Sequence, residues 1–447
     1  MSDSEMDQND LFAMALGLST PWKVVRSGFE EASAGSKFLY VDLEVETGAK
    51  MPCPVCGELS PLYDHEVKRW RHLNFWQHST YLSARVPRIE CPHHQVKQVT
   101  VPWARPESGF TLMFEAFVMA LAREMPVAAI ATLVAEHDTR LWRIVRHYVA
   151  QAHAEQDWSA VTAVAIDETA TRKGHCYATV AVQVDEQHQQ PARLLYMTPD
   201  RSAASVGEFV AAMSAHGARP QQVELAAIDM SPAYQKGVRE HLPQAQIVFD
   251  RFHVMQLAGR AVDEVRKELR GAGADVKGGL WALRGNESTL SQRQLQLRHD
   301  LCARHKELGR AMALRESLQE TWEWSEKQQA QWHLKTWCSW AMRSRLAAFK
   351  KLAQSIRSHW EGILSYYPNR ITSAAIESIN GIIQTARRRA RGFRNFENLK
   401  AICYWMAGDL NLKIPSAFTH PFSRSSGKCL EPDDDPSALG CGWVAGD

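Results

Sequence analysis

The chain changes its hydrophobic rhythm several times, and those changes outline its organisation. After a short helical run at Leu11–Leu18, residues 22–30 and 37–46 loosely alternate apolar and polar side chains, as half-exposed strands do. The 34 residues between Cys56 and Cys91 remain strand-like and carry Lys68, Arg69, Arg71, Arg85 and Arg88. From Phe110 to His153 the period becomes helical. One helix covers Phe110–Ala122, and a second, opened by Pro126, covers Val127–Glu136. The turn His137-Asp138-Thr139 follows, its Asp or Thr capping a third helix from Arg140. There Leu141, Ile144, Val145 and Tyr148 form the apolar stripe, while Arg140, Arg143 and Arg146 project from another side.

Residues Val161–Asp185 read as a strand, a polar turn around Lys173-Gly174 and a second strand. A third strand at Ala192–Met197 is followed by a helix over Ser202–His216, an apolar run at Val223–Ile228, a helix from Pro232 to His241 and a strand at Gln246–Phe249. Three strands, then helix, strand, helix and strand, predict an α/β sheet whose meander is joined to parallel strands by crossover helices. From Ala258 to about Pro368 the pattern is helical and polar, with Trp281, Trp322, Trp324, Trp332, Trp337, Trp340 and Trp360. It reads as a helical insertion with a flexible joint at Gly271–Gly279. Its tryptophans are expected in helix packing, with base stacking and protein assembly as the other uses of such side chains.

The pattern closes with Thr372–Lys400. Thr372 or Ser373 caps a helix with Ile376, Ile379, Ile382 and Ile383 on one face and Glu377, Asn380 and Gln384 on the adjoining side. Arg387, Arg388, Arg389, Arg391 and Arg394 follow with little acid to offset them, which calls for a polyanion. A last helix runs from Phe396 to about Leu412, and the acidic tail after Pro415 is expected to be disordered.

Composition narrows the partners. With 52 Lys and Arg against 50 Asp and Glu, any nucleic-acid surface has to come from local clustering. Nine scattered cysteines in 447 residues argue against a disulfide scaffold. The acidic, polar start does not read as a signal peptide, and no apolar run is long enough to span a bilayer, so a soluble, cytoplasmic protein is expected.

Three groups of residues carry candidate chemistry. Cys53-Pro-Val-Cys56 has the spacing that aims two thiolates at one ion, and Cys91-Pro-His-His94 repeats it. Four filled positions describe a closed, structural zinc site, its fourth ligand being His94 or one of His93, His65 and His72. The short turn between the second and third helices fits a helix-turn-helix, whose second helix enters the major groove; a three-helix bundle with a solvated basic face has the same pattern. Asp167 and Asp229 each end an apolar strand run, where a carboxylate either caps a turn or faces a cation. Two carboxylates at adjacent strand ends repel each other unless a divalent ion lies between them. With Glu377 they make the parts list for two-metal phosphoryl transfer. No GxxxxGK[ST] phosphate loop, HExxH or GxSxG motif offers rival chemistry.

Taken together, CPVCG, the later CP-x-H, the helix-turn-helix, AIDETATRKGH, AAIDMSPAY, VFDRFHV and ESINGIIQTARRRARGFRNFENL resemble the bacterial insertion-sequence DDE transposases of the "IS-L three" family over about residues 10–415. The resemblance implies a multidomain α/β protein, with a zinc ribbon (1–105) and a helix-turn-helix (106–157) ahead of a ribonuclease-H-like DDE core (158–257 and 369–415). The core is split by the helical insertion (258–368) and followed by the tail (416–447). It places the three acids on Asp167, Asp229 and Glu377, holding two magnesium or manganese ions, and implies one structural zinc. Asp250 and His253, in VFDRFHV, either support the acids from behind or cap a helix. Where family members commonly have cysteine, this chain has His94. The implied function is transposition, by a homodimer or higher oligomer on double-stranded transposon ends and target DNA in the bacterial cytoplasm, at the nucleoid. In that reading Arg140, Arg143, Arg146 and Arg387 to Arg394 touch DNA. The alternative is a non-catalytic, sequence-specific DNA-binding descendant of a transposase.

Overall fold

The computed structural model describes residues 7–31, 35, 37–172, 174, 176–185, 191–285, 287–369 and 374–415. The described residues form two compact units, one built on those up to Arg123 with Ile414 and Pro415, the other on Glu124–Lys413.

The first unit contains α1 (Gln8–Ala15), β1 (Trp22–Glu31), β2 (Lys37–Val45), β3 (Lys50–Pro52), β4 (Leu59–Phe75), β5 (His78–Cys91), β6 (Gln95–Gln98) and α2 (Leu112–Glu124). Its strands form one sheet in the order β1-β2-β5-β4-β3, with β6 on β5. The first helix starts earlier than its apolar run, because the Asp7 side chain caps it. The long β4–β5 hairpin turns through Trp76, which has positive φ. Trp22, Leu39, Val41, Trp70, Leu82, Ile89 and Trp103 form the core. Trp103 lies edge-on to Trp22 and Trp70, at 4.7 and 5.6 Å between ring centres. The helix expected from Phe110 begins at Leu112, since the preceding backbone is used against β4: Arg71 N–H donates to Gly109 O and Thr111 N–H to Arg71 O.

The second unit opens with α3 (Val127–Val134) and α4 (Asp138–Ala154). Helix α3 stops two residues short of expectation because Ala135 turns left-handed, φ 54°. The cap of α4 is neither Asp138 nor Thr139 but His137, whose Nδ1 accepts from Thr139 N–H. Asp138 then sits in the first turn, where its charge suits the helix dipole. The sheet is built from β7 (Ala163–Ala170), β8 (Tyr177–Gln183), β9 (Arg193–Pro199), β10 (Leu225–Ile228) and β11 (Gln246–Phe249), in the order β11-β10-β7-β8-β9. Strands β7, β8 and β9 form an antiparallel meander, and β10 and β11 run parallel to β7. The crossovers are α5 (Ala203–Ala215) and α6 (Pro232–His241).

Asp167 does not end its strand, as the apolar run suggested. The β7–β8 pairing continues through Asp167 to Ala170, whereas the parallel β7–β10 pairing stops at Ile166 and Ile228. Asp167 and Asp229 are thus the first residues past the end of the parallel ladder. Gly174, in the turn of this hairpin, has φ +91°; Lys173 lies outside the described residues.

The helices that follow are α7 (Arg251–Gly271), α8 (Gly279–Arg284), α9 (Gln292–Arg304), α10 (Lys306–Glu320), α11 (Lys327–Arg343), α12 (Ala347–Ser358), α13 (Trp360–Leu364) and α14 (Tyr366–Asn369). Helix α7 runs unbroken past residue 258, so the helical segment grows out of the helix that follows β11. Gly273 and Gly278, both with positive φ, separate α7 from α8. The tryptophans divide. Trp337 is buried and donates Nε1–H to Leu314 O at 2.7 Å, and Trp322 packs on Tyr366 and Tyr367. Trp281, Trp324 and Trp332 are exposed, against the expectation of packing.

The unit closes with α15 (Ala374–Arg389) and α16 (Phe396–Ala407). The expected caps Thr372 and Ser373 and the tail 416–447 lie outside the described residues. Helix α16 packs on β9 and on α4. There the Tyr404 hydroxyl accepts from Met197 N–H at 3.1 Å, and its ring stacks on His153 at 4.0 Å.

Close packing of α5 on α6 leads to a stability prediction. A Cβ at Gly237 would lie 2.8 Å from Val206 Cβ and 3.0 Å from Ala203 O. Neither is the end of a flexible side chain. Gly237→Ala should therefore lower stability by about 1–3 kcal/mol, despite a helix-propensity gain of about 1 kcal/mol, as read from thermal or urea unfolding.

Candidate functional site

In the first unit, the tight turn after β3 and the end of β5 bring Cys53, Cys56, Cys91 and His94 together, with their ligand atoms all within 4.8 Å of one another. Cys56 Sγ is 3.7 Å from Cys91 Sγ, and His94 Nδ1 is 3.6 Å from Cys91 Sγ and 3.8 Å from Cys53 Sγ. A tetrahedral zinc with its usual bond lengths needs edges of about 3.8 Å between sulfurs and about 3.6 Å between sulfur and nitrogen. The donor set fits that ion, and the sulfurs are too far apart for a disulfide. The other histidines are used elsewhere. His93 faces Glu58 at 3.2 Å, His72 faces Thr111 at 2.8 Å and His65 contacts Arg85. The basic residues between the two ligand pairs are also largely engaged. Arg71 is buried with its guanidinium on Ser79, Arg88 pairs with Asp64, Arg85 with Glu44, and Arg69 lies over the Tyr81 ring.

In the second unit, Asp167, Asp229, Asp250 and His253 line one small pocket at the carboxyl ends of β7, β10 and β11. Ile166, Ile228, Val248 and Ile376 make its apolar wall. Each aspartate is held by backbone: Glu168 N–H donates to Asp167 at 2.8 Å, Ser231 N–H to Asp229 at 2.9 Å and Phe252 N–H to Asp250 at 2.9 Å. Burial pushes Asp167 up to about 6; the His253 charge and the Glu168 N–H oppose this, while Asp229 and Asp250 add to it. Asp229 is also raised, again chiefly by burial. His253 is raised in turn, mostly by the Asp250 carboxylate beside it, with Nδ1 and Oδ2 3.0 Å apart. Asp250 therefore both caps α7 and faces the pocket.

Helix α15 crosses this pocket. Ile376, Ile379 and Ile383 are buried, and Ile382 is half-buried. Asn380 Nδ2 donates to Asp167 Oδ2 at 3.1 Å, and Gln384 Nε2 donates to Thr169 Oγ1 and Ala170 O. Glu377 is exposed one turn before Asn380. Among the described residues only the Cys3His group gathers three or more ligand atoms within 4.8 Å, so Asp167, Asp229 and Glu377 are not drawn together that tightly.

The arginines sort by role. Arg387 is half-buried and turned toward the sheet, its Nη1 donating to Ala170 O at 2.6 Å. Arg388, Arg389, Arg391 and Arg394 are exposed. On α4, Arg140 pairs with Glu136 and Arg146 Nε donates to Trp142 O at 3.3 Å, leaving Arg143 exposed. The C-terminal half of α4 is occupied in packing through His153, and Trp142 lies 6.0 Å from Phe393, beside the arginine run. Two interactions were not legible in the sequence. Arg201 pairs with Glu168 at 3.0 Å, and Arg172 donates to the backbone of Arg394, tying the β7–β8 hairpin to the turn after α15.

Residues 164–403, more than half of the chain, match the ISL3 family model described as a transposase. The chain belongs to the ISL3 transposase family. Residues 99–149 match the helix-turn-helix domain of that family, and residues 49–94 match the zinc finger of the IS204/IS1001/IS1096/IS1165 transposases. The chain is 28% identical to the transposase for insertion sequence element IS1557 of Mycobacterium tuberculosis, over 92% of this chain and 98% of that protein. It is 33% identical to the transposase for IS1001 of Bordetella parapertussis, over 54% of this chain and 60% of that protein. A transposase with a helix-turn-helix has DNA as its partner, and its zinc finger agrees with the Cys3His geometry as a structural zinc site. No described helix is long and apolar enough to cross a membrane.

Each site generates a prediction. The purified protein should hold one zinc per chain. Cys91→Ser or His94→Ala should lose it and unfold the first unit at lower temperature, whereas His93→Ala should keep both zinc and stability, as read by metal analysis and calorimetry. Asp167 binds its proton more tightly folded than unfolded, so the penalty of charging it in the fold is absent below pH 3.8, builds as pH rises and is complete above about 6. In metal-free protein Asp167→Asn should therefore stabilise the second unit by up to roughly 3 kcal/mol above pH 7 and by little near pH 4. A stability difference that did not change between those two pH values would refute it.

Proposed function

We propose that this ISL3-family protein is a DDE transposase that binds the terminal inverted repeats of its element, cuts the DNA ends and joins them to target DNA. The observation that carries the reading is the pair Asp167 and Asp229, half-buried past the end of one parallel ladder, facing one pocket to which α15 contributes Ile376, with Asn380 of the same helix donating to Asp167. Carboxylates with raised proton affinity just past the end of the parallel β7–β10 ladder suit hard divalent cations, whose binding would relieve both their repulsion and their desolvation. The meander continued by two parallel strands, with helices α7–α14 placed before helix α15, which carries Glu377, supports a ribonuclease-H-like core.

In this reading Asp167, Asp229 and Glu377 hold magnesium or manganese, which would supply the Lewis acidity that activates the attacking hydroxyl and stabilises the leaving oxygen. The chain's own residues do the positioning. Asn380 orients the Asp167 carboxylate, and Gln384 and Arg387 pin α15 to Thr169 and Ala170, setting where Glu377 is presented. His253 and Asp250, on the pocket wall, balance the charge behind the two aspartates and act as positioning residues. Arg388, Arg391 and Arg394 hold phosphates beside the site, and Arg143 is the best placed of the α4 arginines to reach DNA.

The test is cleavage of a duplex carrying the element's own ends, in magnesium or manganese. Asp167→Asn, Asp229→Asn and Glu377→Gln should each lower nicking by at least about 1,000-fold while leaving affinity for the ends within a few-fold. Asn380→Ala should lower the cleavage rate on the order of 10-fold and raise the metal concentration needed, since it touches Asp167 without being a proposed ligand. Specific binding to the ends with no nick from wild-type protein would instead identify a non-catalytic DNA-binding protein.

A further inference from the structure

The helical insertion carries a charge pattern that plays no part in the carboxylate site. From Lys327 to Trp360 the chain has seven cations, Lys327, Lys335, Arg343, Arg345, Lys350, Lys351 and Arg357, and no aspartate or glutamate. Outside this segment acids outnumber cations, 50 to 45 (52 less these seven). The segment is α11, the turn at Arg345 and α12, two helices packed on each other. Their apolar positions face inward: Leu334, Trp337, Cys338 and Ala341 from α11, and Phe349, Leu352, Ala353 and Ile356 from α12, are buried. All seven cations are exposed except Lys350, which is half-buried, and among the described residues none has a carboxylate within ion-pair distance. By contrast, Asp263 alone gathers Arg266, Lys267 and Arg284 on α7 and α8.

On α11 the outward face repeats at three- and four-residue steps through Trp332, Lys335, Ser339 and Arg343. Trp332 is 68% exposed, although an indole of that size gains free energy from burial. A solvated surface helix normally mixes both signs and keeps its large aromatics inward. Seven cations without a carboxylate partner, on a helix pair that also exposes an indole, fit a nucleic-acid backbone, in which phosphates alternate with less polar sugar rings.

We propose that the α11–α12 hairpin is a second DNA-binding surface, separate from the carboxylate pocket and from α4, on which Lys335, Arg343 and Lys351 hold backbone phosphates of a duplex and Trp332 lies against its sugars. This rests on the reading of the protein as a DNA transposase. It assigns the insertion the task of holding a length of duplex by its backbone, without reading its sequence.

The test uses the full-length protein and a duplex of unrelated sequence, with affinity measured across a salt series. The triple variant Lys335→Gln/Arg343→Gln/Lys351→Gln should flatten the slope of log affinity against log salt by roughly 2 to 3, about 0.9 for each phosphate no longer neutralised. Near 0.15 M salt this corresponds to a weakening on the order of 100-fold. The charge-preserving Lys335→Arg/Arg343→Lys/Lys351→Arg should retain the wild-type slope, and Trp332→Ala should weaken binding several-fold at an unchanged slope. Zinc content and circular dichroism identical to wild type establish that the variants are folded. A wild-type slope in the neutralised triple variant would overturn the proposal, as would an equal weakening in the charge-preserving variant. Nicking of element ends is scored separately: if wild-type protein cuts nothing, the transposase reading fails, while the salt slopes still judge the hairpin.

Discussion

Much of the second unit is arranged around the cost of keeping Asp167 and Asp229 charged out of water. Each lies one residue past the parallel β7–β10 ladder, against isoleucine and valine side chains, where burial raises its proton affinity. Three kinds of interaction soften that cost: backbone N–H groups from the following residues, the imidazole of His253, and the amide of Asn380. None removes it. A pair of like charges held this way carries a standing penalty at neutral pH, which a divalent cation between them would relieve.

Helix α15 is bound into the same arrangement from the other side. Its buried isoleucines fix its axis, while Asn380, Gln384 and Arg387, at intervals of three and four residues, attach it along β7 from Asp167 to Ala170. Glu377 extends the same row by one turn at an exposed position. An exposed carboxylate is thus presented by a helix whose placement is strongly determined.

The zinc site obeys the opposite logic. Four ligands at tetrahedral spacing leave no open position, so the ion serves to close a turn after β3 onto the end of β5 in a sheet whose core is small. Cations elsewhere follow a similar division between fold and surface. Arg71, Arg387 and Arg266 are absorbed by carbonyls, hydroxyls or carboxylates, whereas Arg391, Arg394 and the α11–α12 cations face solvent. Net charge conceals this, because acids in other segments balance it.

Local periodicity and short motifs were enough to read the order of elements, the zinc ligand spacing and the candidate acids, because each depends on residues close together in the chain. They also put Asn380 and Gln384 on the side of the helix next to the isoleucines, since a period of 3.6 settles that without a partner. They misplaced Asp167 at a strand end, since an apolar run records burial on both faces and cannot register that β8 pairs onward after β10 stops. Four histidines stayed open for one zinc position until the turn after β3 met the end of β5, with His94 between Cys53 and Cys91. The fate of each arginine and tryptophan was likewise a matter of tertiary packing: Arg387 and Arg391 are alike in the sequence, as are Trp337 and Trp332, and differ only in whether another element stands in front of them.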